Sequence, residues 1–147
     1  MINKLVHFSS ETVEWETDRE VFSYLNRRFG PFVLDVCATA DNAKCPLYFT
    51  KEQDGLRQQW TGPVWMNPPY GRTIGEWMKR AHQEGERGNV VVCLVPARTD
   101  TNWWHNYAIR GRVFFVRGRL KFGGAKHGAP FPSAVVIFGP YADRGEE

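Results

Sequence analysis

The clearest chemistry in the chain lies in Asn67, Pro68, Pro69 and Tyr70, followed by Gly71 and preceded directly by the apolar run Val64–Met66. With proline at about 5% of residues, a chance match to these four in a chain of this length is on the order of one in a thousand. The residue types fit one task. An exocyclic amine on an aromatic ring, such as that of adenine, is a poor nucleophile because its lone pair is delocalised into the ring. The side-chain oxygen of Asn67 can accept one N–H of such an amine and the carbonyl of Pro68 the other. Two acceptors at fixed angles localise the lone pair and aim it at an electrophile. The prolines hold that geometry because their φ is locked, and positioning supplies a large part of such a barrier. Tyr70 offers a flat face for a base, worth roughly 1–3 kcal/mol of stacking. In a duplex the amine is hidden, so the base must first be flipped out. The matching electrophile is the methyl sulfonium of S-adenosylmethionine (SAM), whose positive charge is lost on transfer. No metal and no covalent nucleophile are needed.

Such a turn needs a rigid strand end to carry it. Val64–Met66 reads as that strand, bounded by Gly62-Pro63 and the two prolines. Asp18 to Phe29 places Val21, Phe22, Leu25 and Phe29 on one helical face, with Thr17 or Asp18 as N-cap and Gly30 as stop. Phe32 to Cys37 reads as a buried strand and Ile74 to Glu86 as a helix with Ile74, Trp77, Met78 and Ala81 inward. Val90 to Val95 is a β-branched strand, Thr101 to Ile109 a helix, and Val113–Val116 and Ala134–Phe138 are further strands. Strands alternating with helices predict an α/β fold: a mostly parallel central sheet with helices on both faces and an antiparallel edge strand. In such sheets ligands bind at the carboxyl ends of the strands, which directs attention to Asp35–Asn42 and Asn67–Arg72.

At 147 residues the chain is expected to be a single domain with no separate target-recognition domain. The longest apolar run, Val90–Val95, is far short of the roughly 20 residues a bilayer span needs. Met1–His7 lacks a signal-peptide core, so no membrane association and an intracellular location are expected. Cys37, Cys45 and Cys93 form no CxxC or His/Cys cluster of zinc spacing, so no metal is expected. The formal charge is only +3, yet it is unevenly spread. Glu11 to Glu20 holds five acids, whereas Arg110 to His127 holds six Lys and Arg with no acid, interleaved with Phe114, Phe115 and Phe122. A basic face with aromatics suits a polyanion and its bases.

Taken together, these motifs resemble the phage-type DNA N6-adenine methyltransferases. The resemblance runs from Phe8-Ser-Ser to Phe138. It includes Trp15-x-Thr17, Leu34-Asp-Val-Cys-Ala38, Asn42-Ala-Lys-Cys45, Asp54-Gly-Leu56 and the Asn-Pro-Pro-Tyr turn. Further on it takes in Leu94-Val-Pro-Ala-Arg-Thr-Asp-Thr101, Trp103-Trp104, Gly118-Arg-Leu-Lys-Phe122 and Pro130-Phe-Pro-Ser133. It implies a minimal Rossmann-like SAM-dependent methyltransferase, with catalytic Asn67, Pro68, Pro69 and Tyr70. It also implies a cofactor site at Trp15, Thr17, Asp35, Cys37, Ala38, Asn42 and Asp54, where backbone N–H groups of the first-strand loop and Asp35 take the amino acid or ribose of SAM. Each acid or amide has a structural alternative: Asp35 as a strand-end carboxylate, Asp54 in an Asp-Gly turn, Asn42 in an Asx turn. Two departures stand out. The first-strand loop lacks Gly-x-Gly, and only 18 residues separate Asp35 from Asp54, so this part of the sheet is expected to be abbreviated.

Duplex DNA is the expected partner, held by Arg72, Arg98, Arg117, Arg119, Lys121 and Lys126; Arg98 follows the strand ending at Val95, so it is expected to face the same cleft as Asn67 and to contact DNA phosphate or substrate. The small size further predicts relaxed sequence specificity or homodimerisation to enlarge the footprint. The setting implied by the resemblance is the cytoplasm of a bacterial host carrying a phage or prophage. Asn-Pro-Pro-Tyr also serves methyltransferases acting on RNA bases or a protein amide, and a non-catalytic DNA-binding protein retaining the fold is the remaining alternative.

Overall fold

The computed structural model of the protein describes residues 15–144. Its centre is a six-stranded sheet built from β1 (Leu34–Asp35), β2 (Leu47–Tyr48), β3 (Val64–Met66), β4 (Val91–Pro96), β5 (Arg112–Phe115) and β6 (Ser133–Phe138), in the order β2-β1-β3-β4-β6-β5. The β2–β1, β1–β3 and β3–β4 pairs are parallel, while β6 runs antiparallel to both β4 and β5. The mixed α/β sheet matches the sequence expectation, antiparallel edge included.

Every residue of β4 and β6 is buried. Side chains alternate across a strand, so each must have a cover on either face. One face is covered by helix α1 (Asp18–Phe29), whose Val21, Leu25 and Phe29 pack with Trp65, Val92, Leu94, Val135 and Ile137. The other is covered by helix α2 (Ile74–Glu86), whose Ile74, Trp77, Met78 and Ala81 pack with Met66, Cys93, Val95, Ala134 and Val136.

Local chemistry fixes these helices. Thr17 caps α1 by accepting from the Glu20 N–H while the Glu20 carboxylate accepts from the Thr17 N–H, a capping box. Arg27 and Arg28 sit in the last turn, where cations meet the partial negative charge of the helix end. Arg28, 4% exposed, then makes a two-pronged ion pair with Asp143, which fastens the C-terminal segment against α1.

The differences from the sequence reading lie where tertiary pairing decides. The strand expected over Phe32–Cys37 is reduced to Leu34–Asp35, because the chain bends at Val36 and Cys37. The two strands expected at Val90–Val95 and Val113–Val116 are each displaced by one residue, to Val91–Pro96 and Arg112–Phe115. The single helix expected over Thr101–Ile109 is broken at Tyr107 into α3 (Asn102–Asn106) and a short 3-10 turn at Ala108–Arg110. Strand β2 was not anticipated: Leu47 is exposed, so no alternation announces it. As expected from the short spacing, no helix intervenes between β1 and β2.

Candidate active site

Because β1, β3 and β4 are parallel, their carboxyl ends meet on one edge of the sheet. The turn Asn67–Tyr70 leaves β3 at this edge. The Tyr70 hydroxyl donates to Asn67 Oδ1 at 2.5 Å and lies 3.2 Å from the carbonyl oxygen of Leu94 in β4. With one hydrogen, it serves one acceptor at a time. Burial pushes the Tyr70 phenol well above its usual range, with the charge of Asp18 adding to it, so the hydroxyl stays protonated and remains a donor. The Tyr70 carbonyl accepts from Nη1 of Arg98 at 2.8 Å.

Two further rings enclose the turn. Phe122 and Phe131 meet Tyr70 edge-on, with centroids 6.0 and 5.4 Å away. Both belong to the long loop between β5 and β6. Phe122 was noticed in the sequence as part of a basic, aromatic stretch, whereas Phe131 carried no signal beyond its place in Pro130-Phe-Pro-Ser133.

These groups stand at one end of a cavity of about 1120 Å³. Of the residues expected from the sequence, Asn67, Pro68, Pro69, Tyr70, Cys37, Ala38, Asn42 and Asp54 all line it. Lys51, Leu56, Glu76 and Trp77 line it too and were not anticipated as site residues. Trp77 reads in the sequence as core, and it is indeed buried, stacked near Trp60 with centroids 6.3 Å apart. It nevertheless lines the cavity.

Asp35 takes a different place. It is 2% exposed and does not line the cavity. Its two oxygens accept from the backbone N–H groups of Cys37, at 3.3 Å, and Lys44, at 3.0 Å, so it folds the loop after β1. Burial raises its pKa, opposed by those two hydrogen bonds. The same loop closes further on itself. The Ala38 N–H donates to the Phe49 carbonyl, and the Thr39 N–H to Asn42 Oδ1. The N–H groups of Cys37, Ala38 and Thr39, expected from the sequence to face a cofactor, are thus engaged within the protein.

Asp54 sits in the left-handed region at φ 56° and caps the next turn by accepting from the Leu56 N–H. Beside it, a Cβ on Gly55 would come within 2.3 Å of the Val36 carbonyl oxygen. Only glycine allows the loops after β1 and β2 to touch there and close that wall of the site.

Trp15 and Thr17 do not line the cavity. Trp15 packs on Tyr24 and Thr17 caps α1, but Thr17 also bridges to Lys121, whose N–H donates to the Glu16 carbonyl. That pairing leaves them one residue from Phe122.

With the site described, comparison with known proteins can be read against it. Residues 7–143 match the family model described as DNA N-6-adenine-methyltransferase (Dam), which covers nearly the whole chain. The chain belongs to this DNA N-6-adenine-methyltransferase family. It is 36% identical to the DNA N-6-adenine-methyltransferase of Escherichia phage T1, over 84% of this chain and 61% of that relative. It is 29% identical to the DNA N-6-adenine-methyltransferase of Haemophilus phage HP1, over 89% of this chain and 81% of the relative. The chain thus spans under two thirds of the length of the T1 protein. Membership in the family brings a methyl donor and a nucleic-acid substrate into consideration, and the basic residues can be placed accordingly. Arg72 is exposed just after the Asn67–Tyr70 turn, and Arg117, Arg119 and Lys126 are exposed on the loop that carries Phe122 and Phe131. Lys121 is half-buried in the same loop. Arg98 is the exception, its guanidinium directed inward onto Tyr70. Among the described residues no helix is long and apolar enough to cross a membrane.

Proposed function

We propose that this chain transfers a methyl group from S-adenosylmethionine to the N6 amine of an adenine flipped out of duplex DNA. The observation that carries this reading is the position of Asn67 and Tyr70: at a strand end, lining a cavity, with aromatic rings around Tyr70 and exposed cations on the segments that follow the turn and carry those rings.

The residues present fit the cofactor. The cavity offers apolar faces at Leu56 and Trp77 for a purine, a carboxylate at Asp54 for a ring amine, and amide and hydroxyl groups at Asn42 and Thr39 for a polar tail. When bound, the cofactor supplies an electrophilic methyl group on a cationic sulfur. The chain's own residues do the remainder. Asn67 Oδ1 and the Pro68 carbonyl accept the two N–H bonds of the target amine and turn its lone pair outward. Tyr70 releases Asn67 by rotating its hydroxyl hydrogen to the Leu94 carbonyl, 3.2 Å away. Tyr70, Phe122 and Phe131 stack on the extruded base. Once the amine has its fourth substituent its proton is acidic, so no strong base is required. Arg72, Arg117, Arg119, Lys121 and Lys126 hold the phosphates, which makes binding steeply salt-dependent.

The test is methyl transfer from labelled SAM to unmethylated duplex DNA, followed by nucleoside analysis. N6-methyladenine that disappears in Asn67→Ala supports the reading. Label found in RNA or in protein amides instead would replace the substrate, and SAM binding without any transfer would replace the activity.

A further inference from the structure

Arg98, two residues beyond the end of β4, stands in the sequence as a candidate contact to DNA phosphate or substrate. Its surroundings point elsewhere. The Asn67–Tyr70 turn contains two prolines and therefore lacks two backbone donors. Its φ angles are locked, but the turn has little with which to bind itself to its neighbours. Arg98 supplies that connection from outside. Its Nη1 donates to the Tyr70 carbonyl at 2.8 Å, and its guanidinium carbon lies 5.7 Å from the centroid of Phe131.

Arg98 is itself held. Its N–H donates to the Pro96 carbonyl at 2.9 Å, and its carbonyl accepts from both the N–H and the hydroxyl of Thr101, at 3.2 and 2.8 Å. The preceding residue, Ala97, donates to the Pro132 carbonyl at 2.8 Å. One half-buried cation thus ties together the turn after β3, the loop after β4 and the loop that carries Phe131. A charged donor on a carbonyl makes a strong bond, and a planar guanidinium can also stack on a ring in a way an ammonium cannot.

We propose that Arg98 is a positioning residue: it fixes the Asn67–Tyr70 turn and Phe131 relative to each other and does not bind DNA phosphate. This rests on the methyl-transfer reading above. In that reading Arg98 touches neither amine nor donor, and acts through Tyr70 and Phe131. A displacement of the catalytic acceptors by about 1 Å costs on the order of 10²-fold in rate.

The experiment compares wild type, Arg98→Ala, Arg98→Lys and Lys126→Ala. It measures kcat, KM for duplex DNA, and DNA affinity across a salt series. Arg98→Ala is expected to lower kcat by about 10- to 100-fold while leaving the salt slope of DNA affinity at its wild-type value. Arg98→Lys is expected to recover part of kcat, because an ammonium still donates to the Tyr70 carbonyl. Lys126→Ala is the contrast and is expected to lower the salt slope by about 0.9, as loss of one phosphate contact does. The proposal is overturned if Arg98→Ala behaves as Lys126→Ala does, or if kcat is unchanged in both Arg98 variants. Should Arg98→Ala fail to fold, Arg98→Lys decides alone, since a phosphate contact predicts unchanged kcat and positioning predicts a fall. A wild-type protein that methylates no DNA would instead overturn the underlying reading.

Discussion

The Asn67–Tyr70 turn and the loop over residues 117–132 meet at Tyr70, Phe122 and Phe131 beside the cavity, and they are built in opposite ways. The turn is short and carries two φ-locked residues. Both ends of Tyr70 are bonded, its hydroxyl to Asn67 and its carbonyl to Arg98. The loop is long and mostly exposed, and Gly123 and Gly124 lie at φ 57° and 82°, with open space where a Cβ would stand. It carries Arg117, Arg119, Lys121 and Lys126, as well as Phe122 and Phe131. Under the proposed methyl transfer the difference suits two tasks: aligning a lone pair needs a geometry that does not relax, and following a phosphate backbone needs adaptable cations. Tyr70, Phe122 and Phe131 are where the rigid and the adaptable part touch.

The largest effect should come from breaking the rigid side. Asn67→Ala is expected to lower methyl transfer by at least about 10²–10³-fold, the cost of removing one precisely aimed polar group. Circular dichroism and the unfolding midpoint should stay near wild type, because Asn67 is only half-buried and outside the two cores. A variant that keeps wild-type turnover would remove Asn67 from the mechanism.

Next comes the junction. Phe131→Ala removes a ring from the group around Tyr70 and is expected to cost about 1–3 kcal/mol of stacking, roughly 5- to 150-fold in kcat/KM for DNA. Steady-state kinetics with a short duplex would read this. An unchanged value would mean that the loop contributes charge alone.

On the adaptable side the effect is smaller and of another kind. Arg119→Ala is expected to reduce the slope of log affinity against log salt by about 0.9. Titrations at several salt concentrations measure it, and a slope equal to wild type would place Arg119 off the DNA path.

The smallest effect concerns the scaffold, away from both regions. Burial works to raise the pKa of Glu84, but hydrogen bonds from Asn89, Arg80 and Arg87 outweigh it and hold the carboxyl below its usual range. A carboxyl depressed in the folded state stabilises the fold above its unfolded pKa, and that contribution is lost as pH falls through the folded value. Wild type should therefore lose stability relative to Glu84→Gln on acidification below about pH 4.5. Urea unfolding of both proteins across pH 3–7 checks the sign. A difference independent of pH would show that Glu84 acts by packing alone.

Much of this molecule can be read from local sequence. The helices Asp18–Phe29 and Ile74–Glu86 fall where one-face apolar spacing puts them, the first also where its capping residues put it, because caps and periodicity act within a few residues of chain. The Asn67–Tyr70 turn is equally local, since its two prolines carry their own geometry. The antiparallel edge was legible because β5 and β6 are joined by a loop and both are strongly apolar.

Only the tertiary structure decided the rest. Asp35 reads as a ligand-facing acid until the chain folds back and brings the Lys44 N–H to it. Arg98 reads as a cation of the Asn67 cleft that meets phosphate or substrate, and only the fold turns its guanidinium onto the carbonyl of Tyr70, 28 residues earlier in the chain. Strand β2 has no pattern of its own and exists because β1 offers it a ladder. In each case the deciding contact joins residues distant in sequence. Periodicity and spacing report what a segment can bury or cap, whereas the partner of a polar group is set by which strand ends the sheet brings together.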